Sequence, residues 1–314
     1  MSENLNTPGN RSVGRHIGVA LSDIKKQMPL RVLSEEQFRH WQEKGYVIIS
    51  NAIDASRVQE SVEFLWEFQE MSPSDPDSWY APQRLEHAMT ELNNSGMVEA
   101  YHHQVLWNNR QAQRVYDSFV DIWDKETLWV TIDRANLNPP NRAGREFSGF
   151  IHWDSDTSQT PLPISVQGVL ALSDTDEETG GFQCVPELYR DLAVWRESQP
   201  LDRNPFEPDL TGYQIESVAM KAGDLLIFNG LLPHGIRPNQ SDQVRLAQYI
   251  SMSPAMGDES VRDWRLDCFE QKSTPMGYAF PGDPRKWERE KYTAATLTPL
   301  GEKLLGRQLW SSVP

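Results

Sequence analysis

His152 and Asp154 stand two residues apart in the run FIHWDSD, at positions 150–156. In an extended chain, residues i and i+2 project to the same face, so this imidazole and carboxylate can take adjacent positions on one metal ion while Trp153 turns the other way. A third donor must come from elsewhere. The best candidate is His234, beyond the apolar run DLLIF in GDLLIFNGLLPHGIRPN. Two imidazoles and one carboxylate leave coordination positions open and suit non-haem Fe(II). Only two cysteines occur, Cys184 and Cys268, so no thiolate cluster competes for the role. Arg245 lies eleven residues after His234, between Val244 and Leu246. A guanidinium set among apolar strand residues needs an anion. A dicarboxylate that chelates iron at one end and meets the Arg245 fork at the other would supply it. Taken alone, the His-x-Asp pair equally fits an ordinary strand with one wet face. The added His234 and Arg245 are what point to chemistry.

These residues need a rigid scaffold, and the sequence offers one. LSEEQFRHWQEKGYVIISNAID begins with a capping box, Ser34 with Gln37. Phe38, Trp41 and Lys44 recur at helical spacing, and Gly45 ends the helix before a short strand, Tyr46 to Ser50. Further helices are expected from Ala55 to about Met71 and from about Arg110 to Lys125. From Leu128 onward, short β-rich runs are separated by turn residues: LWVTIDRANLN, FSGFIHWD, ISVQGVLAL, FQCVP, QIESVAM, DLLIF and QVRLAQYISM. That texture predicts an all-β sandwich or barrel rather than alternating β/α units. PELYRDLAVWRES interrupts it as a helix, and helical pieces are expected near Pro284–Tyr292 and Pro299–Leu309. The chain therefore divides into an N-terminal arm (1–32) and one domain (33–314), itself made of a helical part (33–127), a β core (128–255) and a C-terminal wrap (256–314). Loops at Ser72–Gln83, Thr157–Pro163 and Asp258–Lys286 are candidates to cover a pocket.

Bulk properties narrow the partners. With 314 residues, 38% hydrophobic and 24% charged, the chain can bury a sizeable core. No apolar run approaches a membrane span, and the polar start MSENLNTPGNRSVGRH lacks a signal-peptide core. A cytoplasmic location is the expectation, and two cysteines give no disulfide framework. The net charge of −15 argues against nucleic acid, whose phosphates need a basic surface. A small-molecule partner is expected. Composition leaves the oligomeric state open.

At this point the sequence resembles the phytanoyl-CoA dioxygenase family of Fe(II)/2-oxoglutarate oxygenases, from about Leu33 to Tyr249. The resemblance is carried by the LSEEQF opening, by NLNPPNRAGREFSGFIHWD, by ETGGFQCVP and by AGDLLIFNGLLPHGIRPNQSDQVR. It implies a mainly β fold with flanking helices around a double-stranded β-helix (jelly-roll, cupin-like) core. It implies Fe(II), 2-oxoglutarate and O2 as cofactor and co-substrates, with His152, Asp154 and His234 as iron ligands and Arg245 as anchor of the far carboxylate. Asn136 matches a position that contacts 2-oxoglutarate in ectoine-hydroxylase-like members; a structural role near a turn is the alternative. Gln167, polar in an apolar strand, is expected to face the site or to pair with nearby backbone. Two departures stand out. Pro186-Glu187-Leu188-Tyr189 replaces the usual Pro-Gly-Ser-His, and Ile236 stands where some members carry a serine.

The implied reaction is hydroxylation of an unactivated C–H in an amino-acid-like or natural-product substrate, with release of succinate and CO2. Asp154 retains the carboxylate that related halogenases replace to admit chloride. Desaturation or demethylation would follow from the same hydrogen abstraction. Two other classes stay open: a catalytically silent ligand-binding jelly roll, and a metal-dependent isomerase that would neither need Arg245 nor consume O2.

Overall fold

The computed structural model describes residue 21 and residues 24–80, 96–277 and 279–311. Most of the expected N-terminal arm, and positions 81–83 of the first expected covering loop, lie outside the described residues. Helix α1 (Glu35–Lys44) has the expected capping box: Gln37 N–H donates to Ser34 Oγ, and the Gln37 side chain accepts from Ser34 N–H. Gly45 closes the helix in the left-handed region (φ 79°), where a Cβ would lie 2.9 Å from the Tyr189 ring. Strand β1 (Tyr46–Ile49) and helix α2 (Ala55–Phe68) follow. The third expected helix, from about Arg110 to Lys125, is α4 (Gln113–Trp123); it is preceded by a short helix that was not expected, α3 (Gln104–Arg110).

Ten more strands complete the β structure among the described residues: β2 (Met97–Val98), β3 (Leu128–Val130), β4 (Ala135–Asn138), β5 (Val166–Ala171), β6 (Thr179–Cys184), β7 (Glu216–Ser217), β8 (Leu225–Asn229), β9 (His234–Asn239), β10 (Arg245–Tyr249) and β11 (Met252–Pro254). A six-stranded antiparallel sheet runs β1-β8-β5-β10-β4-β2, and a three-stranded one runs β7-β6-β9. A short β11-β3 pair stands beside them. The fold is the expected mainly β jelly roll with flanking helices.

Both faces of the larger sheet are covered, which explains why DLLIF reads as a continuous apolar run. Leu226 and Phe228 of β8, with Val169 and Ala171 of β5, pack inward against Phe182, Cys184 and Val218 of the small sheet. Leu225, Ile227 and Leu170 point outward, into a core shared with Trp41, Phe64, Leu65, Trp107 and Phe119 of the helices. Trp41 and Trp107 are fully buried. At about 1.5–3 kcal/mol for each large apolar side chain removed from water, this outer layer is what holds the sheet's back against the helical part.

Three expectations are corrected. FSGFIHWD is not a strand: only His152 pairs, through an isolated antiparallel bridge to His234. QIESVAM supplies only the two-residue β7. The expected loop Asp258–Lys286 contains helix α6 (Glu259–Glu270), capped by Asp258. The helix over PELYRDLAVWRES is present as α5 (Pro186–Ser198), and the C-terminal pieces are α7 (Trp287–Glu290) and α8 (Pro299–Leu305). The junction at the end of the N-terminal arm is tied down: the N–H groups of Arg31, Val32 and Leu33 all donate to the Asp121 carboxylate on α4. Among the described residues no helix is long and apolar enough to cross a membrane. Cys184 and Cys268 are buried free thiols.

Candidate metal centre

His234 opens β9, and its backbone exchanges both hydrogen bonds with His152: N–H of His152 to O of His234 at 2.8 Å, and the reverse at 3.0 Å. That bridge requires close backbone approach. A Cβ on Gly235 would stand 1.7 Å from the Phe150 carbonyl oxygen, so only glycine fits after His234. Trp153 turns away as expected and is buried, its indole N–H donating to Leu231 O at 2.8 Å and its ring edge-on to Trp195. His152 and Asp154 are thereby left on one side.

The ligand atoms of His152, Asp154 and His234 all lie within 4.8 Å of one another. Asp154 Oδ1 is 3.0 Å from His152 Nε2, and Oδ2 is 3.5 Å from His234 Nε2. His234 Nδ1 meets Leu232 O at 2.9 Å, which fixes that nitrogen as donor and turns the Nε2 lone pair toward Asp154. Burial favours the neutral imidazole and pulls the His234 pKa down, outweighing the neighbouring carboxylate. Burial alone would raise Asp154, yet the two imidazoles hold its carboxyl well below the ordinary range. One carboxylate and neutral imidazoles are the protonation states a divalent ion binds. Phe228 and Phe182 lie 4.4 and 5.9 Å from the His234 ring, and Phe150 lies 4.8 Å from His152. Three phenyl rings thus pack around the two imidazoles.

The three residues border a cavity of about 660 Å³ between the sheets, and Arg245 and Gln167 border it too. Arg245 is buried on the inward face of β10, and its Nη1 donates to Asn136 Oδ1 at 2.8 Å. No carboxylate among the described residues pairs with it. Asn136 on β4 stands behind Arg245 rather than on the cavity wall, so it is placed to orient the guanidinium. Gln167 sits on the wall, on the same face of β5 as Val169. The two departures have local explanations. Pro186 starts α5 instead of a Pro-Gly-Ser-His turn, and Ile236 contributes an apolar patch to the wall. Asp156 caps its own turn, accepting from Ser158 N and Oγ.

Several residues were not singled out from sequence. Arg237 donates to the carbonyls of Phe182 (2.6 Å), Gly180 (2.7 Å) and Asp176, which pins the start of β6, where Gly180 and Gly181 have positive φ, at the cavity edge. Arg134 lines the cavity two residues before Asn136, and alternation along RANLN is a signal that could have found it. Ala279 and Phe280 of the C-terminal wrap also reach the cavity, so part of one expected covering loop does line it.

A jelly roll whose two sheets enclose two imidazoles and a carboxylate, with a buried arginine on the same cavity, defines a mononuclear non-haem metalloprotein class. The phytanoyl-CoA dioxygenase family model matches residues 41–247. The chain belongs to that family. Iron and 2-oxoglutarate are the family's cofactor and co-substrate, and the donor set fits both: hard and borderline donors for iron, and for a carboxylate a buried guanidinium with no carboxylate partner among the described residues. The chain is 23% identical over 265 residues to Ava biosynthesis cluster protein O of Aspergillus versicolor, covering 75% of this chain and 84% of that protein. It is 28% identical over 193 residues to a putative phytanoyl-CoA dioxygenase of Dictyostelium discoideum, covering 49% and 55%. Its fold is similar to that of GlcNAc Inducible Gene 2 from Candida albicans (TM-score 0.64, 15% identity, 89% of this chain and 77% of that one).

Proposed function

We propose that the protein is an Fe(II)/2-oxoglutarate-dependent dioxygenase that hydroxylates an unactivated C–H of a small natural-product or amino-acid-like molecule, with residues 33–314 as one oxygenase domain. The observation that carries this reading is the convergence of His152, Asp154 and His234 on a cavity that also holds Arg245. When bound, iron with 2-oxoglutarate and O2 supplies the oxidising equivalent for C–H cleavage and yields succinate and CO2. The chain's own residues do the rest. His152, Asp154 and His234 hold the ion, and Asp154 contributes the negative charge that a neutral three-imidazole site would lack. Arg245, oriented by Asn136, receives the far carboxylate of the co-substrate. Phe150, Phe182 and Phe228 give the site an apolar border beside the two imidazoles. The name of the Aspergillus versicolor relative, taken from a biosynthesis cluster, supports a natural-product substrate.

Anaerobic addition of Fe(II) and then 2-oxoglutarate should give a weak visible charge-transfer band that decays on exposure to O2 as succinate appears. Absence of both band and succinate would refute the reading. Metal-dependent turnover without O2 uptake would favour an isomerase instead.

A further inference from the structure

The cavity holds a second arginine that the iron chemistry leaves unused. Arg134 precedes β4, and its carbonyl accepts from Tyr249 N–H at 3.0 Å, whereas Arg245 lies opposite Asn138. The two arginines therefore enter the same cavity from positions four residues apart along β10, roughly 13 Å at about 3.3 Å per residue. A dicarboxylate held by the metal at one end and Arg245 at the other is committed at both ends. Arg134 is left for a second molecule.

Its chemistry is already half specified. Arg134 Nη1 donates to Glu99 Oε1 at 2.8 Å and also to the Ala279 carbonyl. The guanidinium lies 4.5 Å from the Phe280 ring centroid. Glu99 is itself fixed, accepting from the Tyr101 hydroxyl and from Gly282 N–H at 3.2 Å. Both members of the pair are buried, with side chains 7% and 3% exposed. Charge at this end is thus neutralised within the protein, while Nε and Nη2 have no acceptor among the described residues. Such a group offers hydrogen-bond donors without calling for an anion. A ligand carboxylate here would be brought close to Glu99 in a site with little water to screen it. A ligand ammonium would meet a guanidinium. Phe280 and Met97 add apolar surface to this part of the wall, which also includes Asp133.

The geometry points to Arg134 as the specificity-determining residue for the primary substrate: an uncharged, ring-bearing molecule that presents a carbonyl oxygen to its Nε and Nη2. This deepens the proposed oxygenase function and rests on Arg245 being the co-substrate's anchor.

The test is calorimetric titration of the full chain, anaerobic with Fe(II) and 2-oxoglutarate. The probes are a panel of neutral aromatic amides and lactams, matched aromatic carboxylates and ammonium ions, and aromatics lacking any acceptor. The neutral carbonyl compounds are expected to supply the binders. Arg134→Lys, which keeps the charge beside Glu99, should weaken them roughly tenfold through loss of the two-pronged donor. The proposal is overturned if no neutral carbonyl compound binds, if charged or acceptor-free members bind better, or if Arg134→Lys leaves affinity unchanged. Should that variant fail to fold, Phe280→Leu retains the ion pair. It should weaken the same compounds about threefold, and unchanged affinity would count against the proposal. Titration of 2-oxoglutarate alone reports on Arg245 separately, so failure of the oxygenase reading is distinguishable from failure at Arg134.

Discussion

Two groups of buried arginines are used in opposite ways. Behind the larger sheet, Arg265 is fully buried and donates to the carbonyls of Leu305 (3.0 Å), Leu304 (2.9 Å) and Val130 (2.8 Å). Arg110 likewise serves the carbonyls of Tyr101 (2.6 Å) and Asp133. Burial pulls these guanidinium pKa values down to about 9 and about 10. Both are staples, closing backbone that would otherwise hold unsatisfied carbonyls. Arg245 is almost as buried, yet among the described residues a single side-chain oxygen, that of Asn136, accepts from it. Arg265 and Arg110 aim their donors at backbone. Arg245 instead faces the cavity, with one neutral acceptor among the described residues, which is what the proposed co-substrate contact requires.

Substitutions separate the two kinds. The largest effect is expected at the metal centre itself: His152→Ala, Asp154→Ala or His234→Ala should lower 2-oxoglutarate-dependent succinate release at least about a thousandfold, with the fold intact by circular dichroism. Wild-type succinate production in any of the three would remove that residue from the ligand set. Next comes Arg245→Ala, which should raise the KM for 2-oxoglutarate on the order of a hundredfold, the usual scale for losing a desolvated charge contact, with a far smaller change for the primary substrate. The reverse pattern in steady-state kinetics would make Arg245 a substrate residue.

On the staple side, the effect should appear in stability and not in kinetics. Arg265→Met leaves three carbonyls without a donor and should cost on the order of a few kcal/mol in thermal or urea unfolding, with KM for 2-oxoglutarate unchanged. Glu288 belongs to the same cluster. It accepts from Tyr101 N–H and His102 N–H at 2.7 and 2.6 Å, and burial raises its pKa from 4.5 to about 7. A carboxyl whose folded pKa is raised binds its proton more tightly in the native state. Its contribution is therefore complete below about pH 4.5 and lost as pH rises through about 7. The melting temperature of the wild type should fall over that window more steeply than that of Glu288→Gln; parallel pH profiles would contradict the assignment. The smallest effect is expected from Asn136→Ala, which leaves Arg245 in place but without its acceptor. Roughly 1 kcal/mol, or about a fivefold rise in KM for 2-oxoglutarate, is the scale of one such hydrogen bond. No change at all would place the orienting role elsewhere.

Local chemistry made much of this legible. The Ser34–Gln37 capping box and Gly45 stop are decided within a few residues, so α1 could be read directly. Arg245 was legible because its flanking residues alternate with it, and Val244 and Leu246 do pack outward. What failed depended on tertiary context. FIHWDSD alternates like a strand, but Gly149 in the left-handed region before it and the Asp156 turn after it confine pairing to His152. The geometry needed at Asp154 comes from that one bridge. Strand β9 escaped because HGIRPN contains glycine and proline, residues that argue against a strand, although both are accommodated beside β6. Helix α6 was hidden by its charge: ESVRDWRLDCFE buries an arginine where a periodic apolar stripe would place an aliphatic residue. The staple role of Arg265 depends on carbonyls up to 135 residues away, which no local window contains.

The stretch matched by the family model ends at residue 247, and every residue assigned here to metal and co-substrate lies within it. Ala279 and Phe280, which close the cavity beside Arg134, lie beyond it. On the proposed function, the metal and co-substrate residues and part of the substrate wall thus lie in separable lengths of chain. A graft confined to residues 271–286 would be a route to a changed substrate range with the oxidising machinery left untouched, so descendants of this scaffold could diversify at their C-terminal seam.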